Sequence, residues 1–140
     1  MPPGTDLVSG PNADGACITL KNNVELKGSG QEIKVLKLTD GSSADVDGIV
    51  RASALHNTLN ASVQNLTIDG NQSHTSGTVH GLVTGSDSSP GAHTIDFAVQ
   101  GVALANRSGN GLLANALSNC TGLWAGWASR TVERHVLYGR

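Results

Sequence analysis

Apolar and polar residues alternate along most of the chain in short runs of three to six positions, each bounded by Gly, Asn or Asp. Such alternation is the period of half-buried β-strands. No helical 3.6-residue period is sustained ahead of the C-terminal tail. The pattern therefore predicts strands at 17–20, 24–26, 33–38, 48–51, 63–68, 79–83, 95–99 and 102–104.

One of these runs recurs along the chain. Residues 63–71 (VQNLTIDGN) return loosely as residues 99–107 (VQGVALANR), at an offset of 36 residues. A repeat of this kind is typical of a parallel β-solenoid, whose coils bury their inner faces only by stacking on one another. A β-sandwich also contains short strands, and turn pairs such as Asp40-Gly41 and Asn110-Gly111 suit either architecture. The pattern favours the solenoid and leaves the sandwich open.

Composition narrows the class of protein. The 140 residues carry a formal net charge of −2, with 38% hydrophobic, 3% aromatic and 18 Gly residues. The apolar fraction suffices for a core, and the abundance of turn residues disfavours a helical bundle. The charge does not suggest a nucleic-acid partner. We also expect no membrane partner and no signal peptide, because the chain has no long apolar run and no charged start before an apolar segment.

Several segments then resemble a known family. Ile18-x-Leu20, Val24-x-Leu26 and Gly28-x-Gly30 resemble the opening coil of pectate-lyase-like right-handed β-helices. The long stretch from Gly28 to Gly81, with Asn65-Leu66-Thr67-Ile68-Asp69-Gly70-Asn71 at its centre, is similar to the catalytic module of mannuronan C-5-epimerases. Those enzymes convert mannuronate into guluronate within alginate, and the similarity runs from about residue 3 to residue 112.

The resemblance implies an all-β fold, a short right-handed parallel β-helix of about four coils. We expect the coils to occupy residues 1–118 and a divergent tail, which caps one end, to occupy residues 119–140. Compared with the family, the chain looks truncated at both ends. An open solenoid end exposes strand edges, so we expect a homo-oligomer formed through the solenoid ends.

The resemblance also locates the family's catalytic motif, which reads Gly-Tyr-Gly-Phe-Asp-Pro-His-Glu. Residues 109–116 read GNGLLANA here, so Asn110, Leu113 and Asn115 stand where the family has its Tyr, Asp and His. Carboxamide and alkyl groups do not transfer protons near neutral pH. The sequence therefore predicts no catalytic residue and an inactive module. Two alternatives stay open, namely a polyuronate-binding module without turnover and an active alginate epimerase or lyase with a non-standard site.

Four residues are candidates for binding a polyuronate or alginate chain. Asp69, His74 and His80 lie close in sequence and can share one face of a β-helix. Thr78 and His80 occupy positions where the family tends to place Lys and Asp. The competing interpretation is that the two histidines lie in exposed loops without a ligand.

Other polar residues are predicted to be structural. We expect a solvated outer face from four lysines that alternate with apolar residues, with a polyuronate-attracting surface as the alternative: Lys21, Lys27, Lys34 and Lys37. We expect turn residues, stacked in ladders between coils, from four asparagines: Asn65, Asn71, Asn106 and Asn110.

No cofactor is expected from the sequence. No acidic cluster has calcium-binding spacing and no Cys–His spacing resembles a zinc site, so calcium rests on the family resemblance alone. Cys17 and Cys120 do not establish a disulfide, and Cys17 is expected to be a small buried thiol. Family members are secreted, but the sequence leaves the location of this chain open.

The tail contains both tryptophans and the only tyrosine of the chain, at Trp124, Trp127 and Tyr138. Trp124 and Trp127 would share one face of a helix. The tail is predicted to fold over the end of the solenoid as a cap. A sugar-stacking platform is the alternative, since indole rings bind sugar faces through apolar contact.

Overall fold

Two parallel β-sheets, built from short strands of successive coils, wind around one core. The structure is a computed structural model that describes the backbone of residues 1–86, 91–118, 121–122 and 134–137, and the side chains of residues 1–86 and 91–115. The first sheet contains β1 (Gly4–Val8), β3 (Glu25–Lys27), β4 (Lys34–Leu38), β7 (Ser62–Asp69), β10 (Ala98–Ala105) and β12 (Thr121–Gly122). The second sheet contains β2 (Ile18–Leu20), β5 (Val50–Ala52), β6 (Thr58–Leu59), β8 (Leu82–Thr84), β9 (Thr94–Ile95), β11 (Leu112–Ser118) and β13 (Arg134–Leu137).

Strand pairing shows that the chain is a solenoid. Ile18, Val50 and Leu82 pair in successive coils at a spacing of 32 residues. Every strand pair in the described part of the chain is parallel, which a hairpin-connected sandwich does not produce. The all-β parallel solenoid of about three turns confirms the predicted fold class.

The 36-residue repeat read from the sequence is the register between β7 and β10. Val63 pairs with Val99 and Leu66 pairs with Val102. Identical offsets place similar side chains above one another, so the repeat in the sequence is a direct record of coil stacking.

The core lies inside the tube formed by the two sheets. Leu36, Ile68 and Leu104 occupy one register position in three coils, and each is at most 2% exposed. Burying an aliphatic side chain of this size stabilises a fold by about 1.5–3 kcal/mol. Columns of this kind supply most of the stability of a solenoid, because one coil cannot bury its inner face alone.

Asn and Asp residues with left-handed backbones stand above one another in successive coils of the tube. Asn23, Asn60 and Asp96 all have left-handed backbones, with φ of 61°, 57° and 57°. The Asn60 side-chain amide donates to Asn23 Oδ1 at 2.9 Å, which links two coils. This ladder was not among the residues singled out from the sequence, although the composition anticipates it.

The asparagines that were singled out divide into two groups. Asn65, Asn71 and Asn106 have φ between 48° and 55°. Asn71 and Asn106 lie outside the strands, as expected for turn residues, whereas Asn65 lies inside β7. Asn106 Nδ2 donates to Asp69 Oδ1 of the preceding coil at 3.2 Å. Asn110 does not have a left-handed backbone.

The predicted outer face of lysines is wrong for Lys34. Lys34 points into the tube, is 1% exposed and forms an ion pair with Asp6 of β1. The alternation of residues 33–38 defines two strand faces but does not indicate which face is inside the tube. The Lys34–Asp6 pair lies at this end of the core. Strand β1 itself was missed, because its residues are almost all exposed and lack a clear apolar alternation.

The tail adds two short strands to the sheets in its described stretches. Strand β12 pairs with β10 and strand β13 pairs with β11, both in parallel. Cys120, Trp124, Trp127 and Tyr138 lie outside the described residues, so the cap and the sugar-stacking platform stay predictions. Among the described residues, no helix is long and apolar enough to cross a membrane.

A pair of buried threonines provides a test of the core. Thr58 and Thr94 occupy the same register position and are at most 2% exposed. Thr58 Oγ1 accepts a hydrogen bond from the Ser53 amide at 3.2 Å, whereas Thr94 Oγ1 has no partner in the structure. We expect Thr94→Val to raise the free energy of unfolding by about 1 kcal/mol and Thr58→Val to lower it by about 1–3 kcal/mol. Urea denaturation measures both, and equal losses in the two variants would contradict this assignment.

Candidate functional site

Leu113 and Asn115, two of the three positions that the resemblance assigns to the catalytic motif, line a cleft on the outer side of the second sheet. Arg51, Val83 and Leu113 are register neighbours on β5, β8 and β11. The cleft has a volume of about 250 Å³. We call it the motif cleft, and its main lining residues are Asp47, Arg51, His80, Val83, Leu113 and Asn115.

Arg51 is the cation of the motif cleft, although only 5% of its surface is exposed. Its Nη1 donates to the Asp47 carbonyl at 3.1 Å and its Nε to the Ala52 carbonyl at 2.9 Å. Further bonds reach the carbonyls of Asp14 and Gly85. The guanidinium therefore fastens loops from three coils and places a positive charge behind the cleft wall.

Asp14 braces the same loops from the first coil. Its Oδ1 accepts hydrogen bonds from Ser53 Oγ at 2.8 Å and from the Ala54 amide at 2.9 Å. Partial burial acts to raise the pKa of the Asp14 carboxyl, but the hydrogen bonds from Ser53, Ala54, Thr19 and Leu55 outweigh it and hold the pKa below its usual value. Asp14 is thus a charged acceptor that joins the first coil to the second.

His80 lines the motif cleft in a fixed orientation. Its Nδ1 accepts a hydrogen bond from the Asn110 amide at 2.8 Å. A backbone N–H can only donate, so Nδ1 is unprotonated and the neutral ring carries its proton on Nε2. Gly109 permits this contact, since a Cβ at that position would lie 2.5 Å from Nδ1.

Asn115 and Leu113 stand on β11 at the cleft wall. The Asn115 backbone is held at both ends, because its amide donates to Thr84 Oγ1 and its carbonyl accepts from that hydroxyl, each at 3.1 Å. The side-chain amide of Asn115 has no hydrogen-bond partner among the described residues, and it lines the cleft. Leu113 adds an apolar surface next to Val83.

A second cleft lies at the corner where the first sheet ends. Its volume is about 370 Å³. We call it the corner cleft, and its main lining residues are Lys37, Asp69, Asn71, Gln72, His74 and Asn106. Its floor is Asn71, which is 4% exposed and donates to the Leu38 carbonyl at 2.9 Å and to Asp40 Oδ1 at 2.7 Å.

Three of the four predicted binding residues line these two clefts, and the fourth lines neither. Asp69 and His74 line the corner cleft, and His80 lines the motif cleft. Thr78 is exposed on the connector between them and lines neither, with its amide bound to Asp45 Oδ1 at 2.8 Å. Arg51 was not among the predicted site residues. It ends the strand-like run Gly48-Ile49-Val50-Arg51, and a charged residue at the end of an apolar run was the signal that could have identified it.

Metal and thiol chemistry find little support in the described part of the chain. No three His, Cys, Asp or Glu side chains are grouped there as metal ligands. Cys17 is a free thiol, and burial raises its pKa to about 11. A thiol with such a pKa is a poor nucleophile at neutral pH.

Comparison with curated proteins gives mannuronan C5-epimerases and an alginate lyase as relatives. Mannuronan C5-epimerase AlgE2 of Azotobacter vinelandii is 44% identical over 87 residues, which is 61% of this chain and 9% of that protein. Alginate lyase 7 of the same organism is 40% identical over 101 residues, which is 71% of this chain and 11% of that protein. The chain thus spans about a tenth of the length of these relatives, and no protein-family model matches it.

Solved structures give the same result for the fold. The A-module of epimerase AlgE4 of Azotobacter vinelandii superposes with a TM-score of 0.75 at 25% identity, covering 97% of this chain and 42% of that one. The AlgE6 A-module of that organism gives 0.73 at 28% identity, covering 99% and 40%. The chain is therefore homologous to part of the mannuronan C5-epimerases, and its β-helix is that of their A-modules.

The Asp14 brace predicts an acid-sensitive fold. A carboxyl whose pKa is lowered by folding adds stability above its unfolded pKa, and this stability is lost as the pH falls through the folded value. Between about pH 5 and pH 2 we expect stability to fall less steeply in Asp14→Asn than in the unmodified chain. Thermal unfolding across this pH range measures the two slopes, and parallel curves would refute the brace.

The tautomer of His80 is directly observable. In the unmodified protein we expect the ¹⁵N spectrum of the imidazole to show an unprotonated Nδ1 and a protonated Nε2 at neutral pH. Gly109→Ala puts a methyl group against Nδ1, so the bond from Asn110 breaks and this single tautomer is lost. A protonated Nδ1 in the unmodified protein would show that the hydrogen bond is absent.

Proposed function

We propose that this chain is a β-helical module that binds a polyuronate chain in the motif cleft without epimerising it. The observation that carries the proposal is the state of His80. The imidazole that lines the cleft already uses its basic nitrogen to accept a backbone hydrogen bond. A neutral ring held in this way has no lone pair with which to remove a proton.

Epimerisation at C-5 makes larger demands than binding. A base must remove the C-5 proton, a second group must return a proton from the opposite face, and the carboxylate must be neutralised. The motif positions carry Asn110, Leu113 and Asn115, whose side chains do not exchange protons near neutral pH. The substitutions support a module that keeps the scaffold of an epimerase without its acid–base pair.

Binding requires hydrogen-bond donors, a cation near the ligand and a shaped wall. Arg51 supplies the cation, and the exposed Asp47 lines the same cleft. Asn115 offers a side-chain amide that no described residue engages, and the neutral ring of His80 lies beside it in the cleft lining. Arg51 adds a charge from behind the wall, where low dielectric strengthens its attraction for a carboxylate. These groups suit an acidic sugar, and the names of the relatives indicate mannuronan or alginate as the polymer.

A second candidate function rests on Asp47, whose carboxylate also lines the motif cleft. A carboxylate can act as the base of an alginate lyase or of an epimerase with a non-standard site. The similarity to alginate lyase 7 supports this second candidate function. It predicts turnover that Asp47→Asn abolishes.

Incubating the chain with mannuronate oligomers in D₂O separates the two functions. We expect no deuterium at C-5 and no unsaturated sugar ends, while the amide resonances of Asn110 and Asn115 shift on binding. Asn115→Ala removes one hydrogen bond and weakens binding by about three- to tenfold. Gln100→Ala, which removes an exposed amide outside both clefts, serves as the control. Deuterium incorporation or unsaturated product would overturn the proposal.

A further inference from the structure

The corner cleft is larger than the motif cleft and is held rigid by hydrogen bonds across coils. Asp69 Oδ1 accepts from the Asn71 amide at 2.8 Å and from Asn106 Nδ2 at 3.2 Å. His74 Nδ1 lies 2.9 Å from Ser73 Oγ. Walls fixed in this way lose little conformational entropy when a ligand binds.

Polar groups of the corner cleft remain available to a ligand. Among the described residues, Lys37 Nζ and the Gln72 side-chain amide have no hydrogen-bond or ion-pair partner. The hydrogen bonds to the Asp69 carboxylate both use Oδ1, which leaves Oδ2 as an acceptor. The cleft therefore offers a cation, an amide and a carboxylate oxygen side by side, since Lys37 and Asp69 are register neighbours.

We propose that the corner cleft is a second binding site for the same polymer and takes one hexuronate residue. Lys37 Nζ pairs with the sugar carboxylate, and Asp69 Oδ2 and the Gln72 amide bind its hydroxyl groups. A neutral sugar would form no ion pair with Lys37 Nζ, and a simple anion would leave Asp69 Oδ2 without a hydrogen-bond donor. The assignment of the polymer as a polyuronate rests on the function proposed above.

One polymer chain can reach both clefts. His74 of the corner cleft and His80 of the motif cleft are six positions apart in sequence, so their Cα atoms lie at most about 22 Å apart. A ligand that occupies both sites gains affinity, because the second contact forms within a complex that already exists. Affinity should therefore rise with oligomer length beyond what one site provides.

Calorimetric titration with mannuronate oligomers of increasing length tests this arrangement. We expect Lys37→Gln to cost about tenfold or more in affinity for the longest oligomers, because the substitution removes the second contact. Lys21→Gln is the matched control, because Lys21 is exposed and lines neither cleft. Equal effects of the two substitutions would overturn the second site.

Amide resonances separate failure of the second site from failure of the proposed function. Shifts at both Asn110 and Gln72 with long oligomers support two sites. Shifts at Asn110 alone overturn the corner cleft and leave the motif cleft standing. Shifts at Gln72 alone overturn the motif cleft as the polyuronate site, and no shift at either position overturns both proposals.

Discussion

Parallel, in-register stacking of coils is the constraint on which the rest of this structure depends. Each strand hydrogen-bonds the same residue positions of the coil before and after it, as Val50 does between Ile18 and Leu82. Inward columns such as Leu36, Ile68 and Leu104 follow from that register. Turns between strands must then repeat as well, which explains why left-handed asparagines recur at the corners.

The same constraint builds both clefts from several coils at once. No coil contains a complete site, because Arg51, Val83 and Leu113 come from three successive coils of the second sheet. The buried guanidinium of Arg51 is central to the motif cleft because its carbonyl partners belong to loops that the strands alone do not fix. The Arg51 side chain therefore holds the loops in place and also supplies the positive charge beside the cleft.

The sequence predicts what stacking dictates and misses what depends on distant loops. The repeat between 63–71 and 99–107 predicts the β7–β10 register, because columns leave matching residues in the chain. Alternation does not identify the inner face, which explains the error at Lys34. The state of His80 depends on Asn110, a residue thirty positions away, and local pattern does not contain that contact. The family resemblance assigns residues 109–116 to the catalytic motif, and it does not indicate which residues surround them.

The hydrogen bonds of the Asn115 backbone bear on which substitutions this module tolerates. Its amide and carbonyl are held by Thr84 through bonds that involve no atom of the Asn115 side chain. The side chain at position 115 can therefore change while both backbone hydrogen bonds to Thr84 remain. The strands of such a solenoid can carry different outward side chains on the same backbone. An enzyme and a binding protein can therefore share one architecture.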